Sequence, residues 1–208
     1  QTSVIVFGSK FVGSALGFVA TIYFARELGA EVLGYYALVI ALVAWLKLGG
    51  HLGISSAMTK RMSEGNEPAA YASASVILVS VLGLGLSMLV LVFGPYINDY
   101  VGASVDSLVA VLLLVGLFQA LTNAALQGEH KVHLAGLLTP LGMGARSIIQ
   151  IALVSIGLGL MGMLAGAAIG SVIVGSVGLL VLSTKLTMPR RRHFDDLLDY
   201  AKFSWLGG

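Results

Sequence analysis

The sequence predicts an all-α, polytopic membrane protein: a bundle of six transmembrane helices followed by the start of a seventh. Hydrophobic residues make up 57% of the 208 residues and charged residues only 11%, and the mean hydropathy is +0.94. Soluble domains carry about 25% charged residues, so this chain has too few charges to cover a globular surface. The composition excludes a disordered chain, a DNA-binding domain and an ordinary cytosolic enzyme, and nucleic acid is not an expected partner.

The first four spans are apolar segments of the length that crosses a hydrocarbon core about 30 Å thick. They lie at residues 4–24, 32–58, 71–97 and 107–126. Lys10 interrupts the first span, and Lys47 and His51 interrupt the second, in which Gly49-Gly50 predicts a bend. The sequence lacks the alternation typical of a β-barrel, so helices are the structure that satisfies the backbone in lipid.

The fifth and sixth spans follow from a long uncharged stretch. The 38 residues between Arg146 and Lys185 carry no charge, and as one helix they would extend about 57 Å, too far for a single span. The glycine-rich segment 157–162 therefore predicts a turn. This turn places the last two spans at 134–156 and 161–182.

Small residues indicate how the sixth span packs. Gly162, Gly166 and Gly170 recur at four-residue spacing, which lets two helix backbones approach closely in lipid. We interpret this ridge as a packing surface and not as a ligand site.

The chain divides into an N-terminal transmembrane lobe, residues 1–188, and a cytoplasmic linker with the start of a seventh helix, residues 189–208. Because that helix stops early, we expect the chain to be a piece of a longer protein. Basic residues favour the cytoplasmic side, and seven flank one set of loops against Arg26 alone on the other. This bias predicts a multi-pass protein of the cell membrane with its N-terminus and loops 2–3, 4–5 and 6–7 in the cytoplasm. The seven are Lys60, Arg61, Lys131, Lys185, Arg190, Arg191 and Arg192.

Arg146 is the first candidate for a substrate-binding residue. It falls near the middle of span five, where a charged side chain costs about 2.5–3.5 kcal/mol on insertion scales and therefore marks function. Thr139, Gly142 and Gln150 lie within about 40° of the same line on the helix. A polar stripe centred on a cation predicts the wall of an aqueous cavity. The alternative is a structural arginine bonded to carbonyls of a neighbouring helix.

Two further polar stripes predict substrate contacts. Lys10, Ser14 and Thr21 share one face of span one, although Lys10 is near enough to the helix end to reach the headgroups instead. Gln119 and Asn123 follow one another at four-residue spacing in span four. They are candidates for binding sugar hydroxyls, and hydrogen bonding between helices is the alternative.

The chemistry that the spans lack is equally informative. All ten acidic residues lie in loops or at span ends, so an anionic substrate fits better than a cationic one, and a buried carboxylate for ion coupling is missing. Cysteine is absent, and His130 and His133 beside Glu129 have no third neutral ligand for zinc. No nucleophile or P-loop motif occurs. We therefore expect no catalytic residue, no metal, no cofactor and no enzymatic activity.

Several stretches resemble the polysaccharide and oligosaccharide flippases, in the same order along the chain. Residues 24–38 are similar to the pattern A-R-x-L-G-x-x-x-x-G-x-Y-x-L, which joins the first two spans of that family. Residues 52–65, 126–128 and 199–207 resemble the close of span two, the close of span four and the entry to span seven. The sequence of the last stretch is similar to that of haloarchaeal members.

The resemblance implies a member of the multidrug/oligosaccharidyl-lipid/polysaccharide exporter superfamily, built from two lobes of six helices. This chain would be the N-terminal six-helix lobe. The implied function is a flippase that moves lipid-linked oligosaccharide or polysaccharide precursors by alternating access, with Arg146 and Lys10 meeting the lipid phosphate. The implied partners are a polyprenyl- or dolichyl-phosphate-linked glycan, membrane lipids and the C-terminal lobe. The alternatives are a multidrug exporter of the same superfamily and an intramembrane enzyme acting on lipid-linked sugars.

Overall fold

A computed structural model describes residues 2–51, 53–183 and 187–206, and every regular element in these ranges is a helix. Five of the described helices are long and apolar enough to cross a membrane. The prediction of an all-α, polytopic membrane protein is confirmed. The helices are α1 Thr2–His51, α2 Ile54–Ser63, α3 Pro68–Val92, α4 Gly94–Val101, α5 Asp106–Gly128, α6 Val132–Ser155, α7 Gly159–Ser183 and α8 Arg191–Leu206.

Helix α1 supplies two passages across the bundle. Its apolar part, Phe11–Gly49, has 39 residues and would be about 58 Å long as a straight rod, almost twice the thickness of the hydrocarbon core. Gly29 breaks it with φ 78° and ψ 173°, a backbone conformation open to glycine but strained for other residues. The loop predicted at 25–31 is thus reduced to a kink at one residue.

The neighbours of α1 show that the chain reverses at this kink. Before it, Gly13 packs against Pro140, and Phe24 joins Val154 in a small apolar cluster. The first half of α1 is therefore parallel to α6. After the kink, Tyr36 returns to the level of Arg146. The two halves of α1 consequently lie against the same helix in opposite directions.

The second passage continues beyond α1 and is interrupted once. The helix runs unbroken through Gly49 and Gly50 to His51, and α2 begins at Ile54 after Gly53, whose φ is 77°. The predicted bend is therefore displaced to the junction of α1 and α2. The passage starts beside Gly102, which ends α4, and then runs beside α5 in the same direction. Three contacts mark its course: Tyr35 against Gly102, Lys47 against Gly116, and Thr59 against Ala124.

Helices α6 and α7 pack backbone to backbone, as the glycine ridge predicted. A Cβ atom on Gly170 would lie 2.9 Å from the Cα atom of Arg146, and one on Gly166 would lie 2.9 Å from the Cα atom of Gln150. The two helices are joined by the predicted turn, in which Gly157 has φ 88°. The ridge therefore places the α7 backbone against the backbone of the α6 residues that carry the polar stripe.

Helix α8 docks on α2 and α3 at the end of the bundle that carries Lys60 and Lys131, which we call the basic end. His193, Leu197 and Ala201 recur every four residues and are buried in this contact. α8, with 16 residues, is not among the described helices that are long and apolar enough to span a membrane. That a seventh span begins here stays a prediction.

A cluster of polar contacts, which we call the clasp, fixes α8 to the N-terminus of α3. Glu67 accepts hydrogen bonds from Arg192 Nη2 at 2.5 Å and His193 Nε2 at 2.6 Å, and the Tyr71 hydroxyl donates to Asp196 at 2.7 Å. The hydrogen bond from Arg192, followed by that from His193, holds the pKa of the Glu67 carboxyl below its usual value. Burial and the hydrogen bond to Asp196 raise the pKa of Tyr71.

Candidate functional site

Arg146 lies near the middle of α6, and its guanidinium points toward the second half of α1. Its Nη2 atom donates a hydrogen bond to the hydroxyl of Tyr36, and its Cζ atom is 5.8 Å from the centroid of the Tyr36 ring. The guanidinium thus lies both within hydrogen-bond reach of the phenol and close to its ring. In the part of the chain that the structure describes, the guanidinium forms no hydrogen bond to a backbone carbonyl, and the choice between a substrate role and a structural role stays a prediction.

Gln150 supports this pair from one turn further along α6. Its side chain is only 4% exposed, and its Nε2 atom donates to the Tyr36 hydroxyl at 2.9 Å and to the carbonyl of Met163 at 2.6 Å. An amide nitrogen carries two hydrogens, so both are committed. Gln150 therefore ties α1, α6 and α7 together and holds the phenol in place from behind.

Lys47 is a functional candidate that was not predicted from the sequence. It is partly buried on the second half of α1, and its side chain lies along α5, so that a Cβ atom on Gly116 would be 3.1 Å from its Nζ atom. The positive charge of Arg146 acts on the Lys47 ammonium, so the two cations repel one another. The sequence did contain a signal, because Lys47 falls close to the centre of the predicted span 32–58.

The polar centre formed by Tyr36, Lys47, Arg146 and Gln150 presents hydrogen-bond donors and positive charge. Guanidinium and ammonium groups have no acceptor atoms. Within residues 2–51, 53–183 and 187–206, no carboxylate forms an ion pair with either cation. Such an arrangement attracts an anion and repels a cation.

The structure places Gln119, one of the two predicted residues of span four, close to α6. The Nε2 atom of Gln119 would be 4.0 Å from a Cβ atom on Gly142, one turn before Arg146 on α6. Asn123, one turn further along α5, has a buried Oδ1 atom without a hydrogen-bond partner among the described residues. Both side chains are partly buried between helices. Their role as substrate ligands stays a prediction.

Two of the predicted residues of span one, Ser14 and Thr21, are not brought to this centre. Ser14 and Thr21 are exposed on the first half of α1, and the Thr21 hydroxyl donates to the carbonyl of Gly17 at 2.9 Å in its own helix. Lys10 and Thr139 lie on described helices, but their side chains lie outside the described part of the structure. Their predicted contacts with substrate stay predictions.

A helical bundle with apolar outer faces and two cations at its polar centre defines a class: a multi-pass membrane protein with an anion-attracting interior. The chain belongs to the polysaccharide biosynthesis protein family, which matches residues 1–206. The family resemblance predicted from the sequence is thereby confirmed.

Two relatives come from the haloarchaeon Haloferax volcanii. The probable flippase AglR is 29% identical over 99% of this chain and 44% of its own length. A probable low-salt glycan biosynthesis flippase is 29% identical over 98% of this chain and 43% of its own length. The chain therefore spans less than half the length of these relatives, both of which are named as probable flippases. No solved structure matches the chain.

Proposed function

We propose that this chain is the N-terminal lobe of a flippase that moves lipid-linked oligosaccharide or polysaccharide precursors across the cell membrane by alternating access. The observation that carries the proposal is Arg146, a mid-helix cation whose described hydrogen bonding is limited to the Tyr36 hydroxyl. A guanidinium has five N–H donors. The donors left over are suited to an incoming anion that is itself rich in acceptors.

The substrate of such a flippase poses a specific physical problem. Its phosphate and sugars cannot cross hydrocarbon unaided, because a charge leaving water loses several kcal/mol of hydration. Fixed donors on Arg146 and Lys47 replace that hydration, and Gln119 and Asn123 are suited to sugar hydroxyls. The polyprenyl or dolichyl tail stays in lipid while the head passes the polar centre.

The proposed partners are the polyprenyl- or dolichyl-phosphate-linked glycan, the surrounding lipids and a C-terminal lobe. The share of the relatives that the chain covers, 44% and 43%, supports the assignment of residues 1–188 to the first of two lobes. Rocking of one lobe against the other would then alternate access to the centre. No enzymatic step is part of this function.

Charge distribution supports the proposed orientation. The basic end collects Lys60, Lys131 and the arginines at the start of α8, whereas Asp99 and Asp106 belong to the opposite end. By the positive-inside rule, the basic end, with the N-terminus and loops 2–3, 4–5 and 6–7, faces the cytoplasm. A substrate made in the cytoplasm then enters from the basic end.

A multidrug exporter of the same superfamily is the second candidate. A cationic drug would be repelled by Lys47 and Arg146, and the acidic residues of the sequence lie in loops or at span ends. An intramembrane enzyme acting on lipid-linked sugars needs acids or histidines at the reacting centre. The described side chains around Arg146 include neither.

Flipping by the reconstituted full-length protein tests the proposal. The substrate is a polyprenyl-phosphate sugar with a fluorescent label, and its exposure in the outer leaflet is followed in vesicles. We expect Arg146→Ala to abolish flipping and Arg146→Lys to retain part of it, because a point charge keeps the attraction but loses the bidentate fork. Arg26→Ala, which removes an exposed cation at the Gly29 kink, is the matched control. Normal flipping by Arg146→Ala would refute the phosphate role.

A further inference from the structure

The hydroxyl of Tyr36 has an unusual hydrogen-bond inventory. A hydroxyl oxygen accepts two hydrogen bonds and its proton donates one. Arg146 Nη2 and Gln150 Nε2 both donate to this oxygen, so both acceptor positions are filled. In the described part of the chain, no carbonyl or carboxylate accepts the remaining proton.

The two donors determine what the phenol can recognise. With both lone pairs engaged, the Tyr36 oxygen can interact with a ligand only by donating its proton. Arg146, which contacts this oxygen, is likewise a donor without acceptor atoms. A ligand atom that meets Tyr36 and Arg146 together must therefore be an acceptor, and a non-bridging phosphate oxygen fits this requirement.

We propose that Tyr36 is a ligand of the carrier phosphate, donating its O–H to a phosphate oxygen that Arg146 binds at the same time. The proposal rests on the proposed function and deepens it, because it adds a neutral, orientation-dependent contact to a charge-based site. Gln150 is then a positioning residue: its amide, anchored on the Met163 carbonyl, keeps the phenol oxygen occupied and its proton directed outward.

The face of α1 that carries Tyr36 extends the same chemistry toward the basic end. Lys47 follows eleven residues later, which at 100° per residue returns to within about 20° of the same side of the helix. The separation along the helix is about 16 Å. A lipid-linked head entering from the basic end therefore meets Lys47 before it reaches Tyr36 and Arg146.

Binding of polyprenyl phosphate and of the uncharged polyprenol to the full-length protein in nanodiscs tests the proposal. We expect Tyr36→Phe to weaken polyprenyl phosphate binding about tenfold, the worth of one hydrogen bond to a charged group, and to leave polyprenol binding unchanged. Tyr35→Phe is the matched control, because the Tyr35 hydroxyl donates to Glu31 at 2.6 Å, outside the polar centre. Unchanged phosphate binding by Tyr36→Phe would overturn the proposal.

A double-mutant cycle separates direct contact from indirect support of Arg146. If Tyr36 touches the phosphate, Tyr36→Phe still weakens binding at least threefold when Arg146 is already alanine. If it acts only by orienting Arg146, the second change has no effect, and the proposal is wrong. If Arg146→Ala and Tyr36→Phe both keep the preference for polyprenyl phosphate over polyprenol, the proposed function itself is refuted.

A fluorinated tyrosine at position 36 provides a test that keeps the phenol and its packing. Fluorination makes the phenol more acidic, so it donates more strongly and accepts more weakly. Tighter binding of polyprenyl phosphate is the expected result. Weaker binding would show that the hydroxyl serves only as an acceptor for Arg146 and would overturn the proposal.

Discussion

Replacing Gly170 by alanine should loosen α7 from α6 and displace Arg146. The added Cβ atom would lie 2.9 Å from both the Cα and the Cβ atom of Arg146, whereas ordinary contacts of this kind measure 3.4–4 Å. The helices must therefore separate by about 0.5–1 Å at this level, because the obstructing atoms belong to or adjoin the backbone. Overpacking of this kind costs about 1–3 kcal/mol.

A second glycine of the same helix calibrates this effect. A Cβ atom on Gly175 would find nothing within 4 Å, so Gly175→Ala should stabilise α7 by about 1 kcal/mol through helix propensity alone. Gly170→Ala gains the same stability from helix propensity but loses stability through the close contact with Arg146. The two variants should differ by about 1–3 kcal/mol, which corresponds to several degrees in the unfolding temperature of a chain of this size.

Thermal unfolding of the two variants in detergent measures this difference, and flipping in vesicles measures its consequence for the site. We expect Gly170→Ala to unfold several degrees below Gly175→Ala and to flip more slowly, since Arg146 moves with its backbone. Equal unfolding temperatures would mean that α7 does not approach α6 at Gly170, and the packing argument would fail. Unequal stability with equal flipping would separate packing from function.

Two further predictions concern the clasp and the orientation of the bundle. Because the pKa of Glu67 is held below its usual value, the clasp contributes stability above about pH 4.3 and loses it as the pH falls through the lower pKa of the folded state. Hydrogen exchange of α8 amides should thus accelerate in acid. Glu67→Gln should remove this pH dependence, whereas the exposed control Glu64→Gln should keep it. Exchange in the wild type that does not change with acid would contradict the prediction. In the chain, which has no cysteine, a cysteine replacing Asp99 should be labelled from outside intact cells and one replacing Lys131 should not; the reverse pattern would invert the proposed topology.

The sequence predicted the helices well because hydrophobicity alone determines which segments enter lipid. It predicted the turn at 157–162 for the same reason, since an uncharged stretch too long for one span must break at its glycines. The junctions between helices were harder to predict from the sequence. Whether a chain reverses over seven residues or at Gly29 alone depends on a single backbone conformation, and no composition pattern around Gly29 distinguishes these outcomes.

The polar centre was predicted only in part, and the reason lies in how residues are compared along a helix. Stripes of one helix revealed Arg146 and Gln150, which share a face of α6. They could not reveal Tyr36, whose role depends on two donors from another helix. Lys47 was treated as an interruption of a span, although a cation near the centre of a span is costly wherever it occurs.

The glycine ridge and the polar centre explain one another. Gly166 and Gly170 bring the α7 backbone against Gln150 and Arg146, so that side of α6 has no room for a guanidinium. The Arg146 side chain must therefore extend away from α7, and α1 is the neighbour that offers a hydroxyl there. Small residues on one helix thus direct the charge on the next, which is why the Gly170 variant tests the direction in which Arg146 points as well as the packing.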